Sequence, residues 1–186
     1  GGYHRRRDAT TSAHGSAIVK NGDRPRPNIL FAIADDASHM SAYGHTFLNT
    51  PHFDRVAAEG VLFTHAYTTN PKCAPSRASI LTGRHTWQLE EASCHFGKFP
   101  SKFAVYPSLL EEAGYHVGHT GKGWGPGDYE AGGFEHNPAG RAYHGAKLDP
   151  PTTGMSAKDY AGNFARFLDE RPDDAPFCFW YGAHEP

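Results

Sequence analysis

The sequence has no excess of charge of either sign: 18 Lys and Arg stand against 20 Asp and Glu, a formal net charge of −2. That balance argues against a nucleic-acid partner, which calls for a basic surface to neutralise phosphates. It also has no apolar stretch near the roughly 20 residues that span a bilayer, so no membrane partner is expected. No secretory leader is visible, because Gly1 to Arg26 is polar and lacks an apolar central segment. Cysteine is scarce, and three such residues cannot make a disulfide scaffold. Should Cys73 be chemically modified, Cys94 and Cys178 remain as a candidate pair. The alternative for Cys178, inside Phe177-Cys178-Phe179-Trp180-Tyr181, is a buried free thiol.

Gly (21), Pro (14) and His (13) are plentiful instead. That mixture suits a loop-rich enzyme better than a helical bundle or a disordered tail. The 186 residues are enough for one ordinary domain with a sizeable core. Residues 1–27, with Arg5-Arg6-Arg7, read as a flexible arm whose basic run is solvated. Residues 28–186 read as the folded part. Ile29 to Ala34 is a continuous apolar run ending in Asp35-Asp36, the pattern of a buried parallel strand with carboxylates at its carboxyl end. Thr50-Pro51 opens a helix with Phe53, Val56 and Ala57 on one face up to Gly60, and Val61-Leu62-Phe63 reads as a short strand. A helix is expected from Pro75 to Leu81, closed by Gly83. Another runs from Pro107 to Ala113, with Leu109, Leu110 and Ala113 inward and Gly114 as its cap.

Tyr115 to His119 follows as a strand leading to Thr120-Gly121-Lys122, and 123–151 as a long loop without a period. Tyr160, Phe164, Phe167 and Leu168 set a helical stripe within Ser156 to Arg171, and Pro176 to Tyr181 is a last buried strand. Strands alternating with helices predict a doubly wound α/β sheet. Ligands gather at the carboxyl ends of such strands, where Asp35, Asp36, Lys122 and His184 all fall. Taken singly, each also fits a turn, a cap or a solvated end. Their convergence is what points to a site.

Cys73-Ala74-Pro75-Ser76-Arg77 places a thiol on a loop just before a helix, with a guanidinium one turn further on. A helix N-terminus plus Arg forms an anion site, because both present donors and positive charge. Cys73 there reads either as a low-pKa thiolate or as the substrate of a modifying enzyme. Adjacent carboxylates such as Asp35 and Asp36 repel unless a cation joins them, which suits a hard divalent metal, calcium or magnesium.

Cys-x-Pro-Ser-Arg followed by Leu81-Thr82-Gly83 resembles the signature of the type I, formylglycine-dependent sulfatases of the alkaline-phosphatase-like superfamily. The likeness in element order runs from Pro27 to Pro186. It implies an alkaline-phosphatase-like doubly wound α/β sheet, of which this chain carries the N-terminal portion of the catalytic domain. It further implies that Cys73 becomes 3-oxoalanine (formylglycine) through a maturation enzyme, and that the hydrate attacks sulfur and later expels sulfate. Asp35, Asp36 and modified Cys73 would hold Ca2+ or Mg2+. Arg77 and Lys122 would neutralise charge, and His184, in a His-x-Pro context, would serve the leaving group or a sulfate oxygen. Ala34-Asp35-Asp36, Thr50-Pro51-His52-Phe53-Asp54 and His184-Glu185-Pro186 look most similar to heparan N-sulfatases (sulfamidases) and related glycan sulfatases. The expected substrate is a sulfated saccharide, carried as an O-sulfate or N-sulfate. The expected compartment is periplasmic, secreted or lysosomal-type.

Two departures stand out. Many members carry His two residues after the Gly-Lys lysine, where this chain has Trp124. The role then falls to His136 or His144, or is absent, and Trp124 either stacks on a sugar or packs. Members are also more than twice as long, so little turnover is expected of these 186 residues alone, and the remainder of the domain is an expected partner. A phosphate or phosphonate monoester hydrolase of the same superfamily is the second reading. A glycan-binding module using Trp87, Trp124, Tyr129 and Tyr143 as a platform is the third.

Overall fold

The computed structural model describes residues 25–185. The arm expected over 1–27 lies outside the described residues except for its last three. Of these, Arg26 donates to the Ala113 carbonyl and sits over the Tyr115 ring at 5.5 Å.

Four strands form one all-parallel sheet: β1 (Ile29–Ala34), β2 (His116–Gly121), β3 (Arg141–Ala142) and β4 (Phe177–Ala183), in the order β1-β4-β2-β3. The helices are α1 (Pro51–Glu59), α2 (Cys73–Thr82), α3 (Tyr106–Glu112) and α4 (Tyr160–Asp169). The sheet is covered on both faces, as a doubly wound arrangement requires. On β4, Phe179 faces the stripe of α4, joining Phe167 and Tyr143, with Phe164 and Leu168 packed against them. Its neighbour Trp180 points the other way and joins Ala74, Ala78 and Leu81 of α2, together with Phe99 and Trp124. Phe167 is completely buried. Burying one such ring stabilises a fold by about 2–3 kcal/mol.

Register places the strand ends level. Ala34 pairs with Ala183 and Gly121 with Gly182, so Asp35, Lys122 and His184 all leave the same edge of the sheet. Gly121 lies in the left-handed region, and a Cβ there would fall on the Gly182 carbonyl. The two glycines let the ends of β2 and β4 approach this closely.

Several expectations are corrected. β1 is an edge strand with Leu30 54% exposed, so its apolar run does not mark burial on both faces. Residues 61–63 pair with no strand, and Val61 and Phe63 are exposed. The Phe53 and Val56 face of α1 is also exposed, because α1 packs against the 3-10 turn Ser41–Tyr43 and not onto the sheet. Leu109 on α3 is exposed as well. Residues 123–151 are not loop throughout, since β3 pairs with Gly118 and His119. A two-residue strand is too short to show a period. α4 starts at Tyr160 and not Ser156, because the Asp159 carboxylate accepts from the Gly162 N–H at 2.8 Å and caps it there. All three cysteines are free: Cys94 is exposed while Cys178 is buried in β4, so they make no bridge.

Candidate active site

α2 begins at Cys73 itself, two residues earlier than the Pro75 start expected, so the thiol sits in the first helical turn and not on a loop. Pro75 fits there because first-turn N–H groups lack an intrahelical partner. Gly83, in the left-handed region, closes the helix by donating to Ser79 O at 2.8 Å. Lys72 at the N-cap supplies no side-chain cap. The helix dipole and the first-turn N–H groups are therefore left for an anion.

Arg77, one turn on, is 2% exposed. Its Nη1 donates to the carbonyls of Lys122 (2.8 Å) and Gly123 (2.9 Å), and its Nη2 to Asp35 Oδ1 (3.0 Å). Lys122 Nζ donates to Asp35 Oδ2 and reaches Cys73 Sγ at 3.2 Å. Trp180 Nε1 also donates to Lys122 O, at 3.1 Å. The ends of β1 and β2 and the start of α2 are thus joined through one carboxylate, two cations and one sulfur. Partial burial works to raise the Asp35 carboxyl, but Lys122 and Arg77 outweigh it and hold it below the ordinary carboxylate range. Burial works to lower Lys122, and Asp35 and Cys73 outweigh that and hold it above its usual value.

Asp35, Cys73 and Arg77 line a cavity of about 350 Å³ together with Asp36, Lys72 and His95, and Lys122 is tied to that wall through Asp35 and Cys73. Asp36 has φ 56, a backbone state Asp tolerates better than most residues, at the turn leaving β1. His184 follows β4 at the same sheet edge, but it is exposed and lines a separate hollow with Ser156, Lys158 and Glu185. The structure therefore gathers Asp35, Asp36, Cys73 and Arg77 around one cavity, with Lys122 bonded to Asp35 and Cys73, and leaves His184 beside it. His95 was not singled out by the sequence. It lies 22 residues from Cys73 in the turn that follows the 3-10 segment Glu90–Ser93, and no local spacing marks it.

Trp124 is 4% exposed, packs against Phe99 at 5.1 Å and donates from Nε1 to Ala74 O at 3.0 Å. It buttresses the first turn of α2 and presents no face to a sugar. Tyr143 is buried and Tyr129 packs on the core, while Trp87 stands exposed over His85. The four aromatics form no shared platform. Neither His136 nor His144 lines the cavity; His144 stacks edge-on with His119 at 5.2 Å.

A divalent metal fits this donor set only in part. Asp35 and Asp36 offer carboxylate oxygens, but both oxygens of Asp35 already accept from cations. Among the described residues no group of three His, Cys, Asp or Glu converges at ligand spacing. A complete coordination shell needs ligands beyond these.

A parallel sheet covered on both faces, with cations, a carboxylate and a helix N-terminus around a sulfur at its carboxyl edge, defines an α/β protein equipped to hold an oxyanion. Residues 27–186 match the family described as Sulfatase, and the chain belongs to that family. It is 32% identical over 191 residues to an N-acetylglucosamine-6-O-sulfatase of Bacteroides thetaiotaomicron, covering 96% of this chain and 34% of that protein. It is 38% identical over 118 residues to an N-acetylgalactosamine-6-O-sulfatase of the same organism, covering 60% of this chain and 23% of that protein. The chain thus spans about a third or less of the length of these relatives. Among solved structures, a candidate sulfatase from Bacteroides thetaiotaomicron shares the fold with a TM-score of 0.62 at 23% identity, covering 86% of this chain and 35% of that one. A phosphonate monoester hydrolase of Agrobacterium radiobacter shares it with a TM-score of 0.58 at 21% identity, covering 86% and 41%. The alkaline-phosphatase-like doubly wound fold expected from the sequence is the one observed.

Proposed function

We propose that this segment carries the nucleophile half of a sulfatase acting on sulfate esters or sulfamates of a sulfated saccharide. The observation that carries it is Cys73 in the first turn of α2 at 3.2 Å from Lys122 Nζ, with Lys122 and Arg77 joined through Asp35. Lys122 lies close enough to steady an oxygen that replaces the thiol and to offset negative charge gathering there. Arg77 holds the Lys122 end of β2 by its backbone and adds fixed positive charge beside α2. Asp35 orients both cations and holds Lys122 above its usual pKa. His184, on the adjoining strand end, is assigned to the leaving alcohol or amine or to a sulfate oxygen.

Conversion of Cys73 to formylglycine by a maturation enzyme would supply a hydrate, a nucleophile whose second hydroxyl allows sulfate to leave. Asp35, Asp36 and the converted Cys73 would hold Ca2+ or Mg2+ with further ligands, and such an ion supplies a Lewis acid toward a sulfuryl oxygen. The names of the two relatives, both sulfatases of N-acetylated amino sugars, support an amino-sugar substrate, and the flanking motifs favour a heparan-type saccharide. A periplasmic, secreted or lysosomal-type compartment is where such glycans are met.

The test is a peptide mass across Cys73 in the full-length enzyme, followed by assay of one alcohol as its sulfate and as its phosphate ester. A peptide lighter than the cysteine form by about 18 Da, with turnover of the sulfate, supports the reading. An unshifted peptide from a maturation-competent host overturns the formylglycine step, and preference for the phosphate ester overturns the sulfatase reading in favour of a phosphate or phosphonate hydrolase.

A further inference from the structure

We propose that His95 is a hydrogen-bond donor to the oxyanion of the substrate, a role that rests on the sulfatase reading above. The cavity beside Cys73 has charge but few donors to spare. Arg77 commits three of its five N–H bonds to Asp35 and to two carbonyls, and Lys122 commits two of its three to Asp35 and Cys73. A tetrahedral sulfuryl group brings three non-bridging oxygens, each able to accept more than one hydrogen bond. Asp36, on the same wall, can only repel it. The remaining polar side chains there are Lys72, Ser76 and His95.

Of these, His95 is the one whose geometry asks for a ligand. It lines the cavity, and its ring is braced edge-on by Phe96 at 4.6 Å. Its Nδ1 is buried with no hydrogen-bond partner among the described residues. A polar atom left unpaired in a folded interior costs stability, and a functional site is one place where that cost is retained. With Nδ1 sealed off, Nε2 is the ring nitrogen through which His95 would donate to a ligand in the cavity it lines. A planar ring with two rotatable bonds loses less freedom on binding than the long, exposed Lys72 side chain.

The experiment uses the full-length enzyme with conversion of Cys73 verified by peptide mass. Turnover of a sulfated saccharide and inhibition by inorganic sulfate are both measured for wild type, His95→Ala, His95→Leu and His95→Gln. Loss of one such donor is expected to lower kcat/KM by about 10²-fold and to weaken sulfate inhibition in the Ala and Leu variants. Gln restores an N–H donor at similar reach and is expected to recover about tenfold of that loss. Should Ala or Leu fail to fold, Gln carries the test by retaining sulfate inhibition within about threefold of wild type. Ala and Leu within about twofold of wild type in both readouts overturn the proposal. So does Gln as impaired as Ala, which would mark a packing role. A wild type that binds inorganic sulfate without turning over sulfate esters would sink the sulfatase reading, while the sulfate affinities of the variants still decide the role of His95.

Discussion

Arg77 donates to two backbone carbonyls and a carboxylate at once, an arrangement matched to the spread, fixed donors of a planar fork. Arg77→Lys supplies a single point charge and is expected to lose both carbonyl contacts, lowering kcat at least tenfold in the full-length enzyme. Arg77→Ala leaves Asp35 short of a partner. It should cost about 3 kcal/mol in a urea titration, a figure already discounted for the partial exposure of Asp35. His119 gives a pH signature of its own. It is 2% exposed, and burial, offset only in part by its bond to the Gly140 carbonyl, pushes its pKa down to about 4 from 6.5. Between those values the unfolded chain binds the proton and the folded protein does not. Stability is therefore full above about pH 6.5 and falls as the pH drops toward 4, by roughly 3 kcal/mol in all. His119→Gln should flatten that part of the curve in urea midpoints taken at pH 7.5 and 4.5. A variant as pH-dependent as wild type would assign the slope to other groups.

At the scale of elements, the site depends on how closely β2 and β4 end together. A Cβ at Gly182 would fall on the Lys122 carbonyl, the atom that both Arg77 and Trp180 hold. Gly182→Ala is expected to cost about 1–3 kcal/mol in thermal unfolding and to lower kcat more than stability alone explains, because Lys122 must shift from Cys73. The elements legible in the sequence were those whose signals are local. The apolar run of β1, the Gly83 cap of α2 and the Phe164–Phe167 stripe of α4 all stand where their patterns put them. The failures share one cause. Val61 to Phe63 and the Phe53 face of α1 have the right composition, but burial depends on a partner surface that no local pattern reports. The cluster of Asp35, Cys73, Arg77 and Lys122 was legible because strand ends in a parallel sheet share an edge. His95 was not, since only tertiary packing brings its turn to that edge. For Trp124 the sequence leaves packing and a sugar contact both open, because an indole in a glycine-rich loop fits a core as readily as a sugar site, and its burial decides for packing.

At the scale of the whole molecule, exposed apolar side chains are concentrated before Ala74 among the described residues: Phe47, Phe53, Val56, Val61, Phe63 and Tyr67 stand exposed, while most of the buried core comes from Ala74 onward. Exposed apolar residues in such number favour association. The 186-residue chain studied alone is expected to self-associate with rising concentration in light scattering, and a Val56→Ser, Phe63→Ser double variant to do so less. Equal scattering by both would show that these side chains are not the adhesive ones. Within this chain Cys178 lies buried in β4 of the sheet, and burial pushes its thiol up to about 11, whereas Cys94 is in solvent. Alkylation becomes a stoichiometric counter as a result. Cys178 stays silent until the protein is denatured and Cys94 always reports, so the remaining increment of label under native conditions belongs to Cys73 and vanishes on its conversion to an aldehyde.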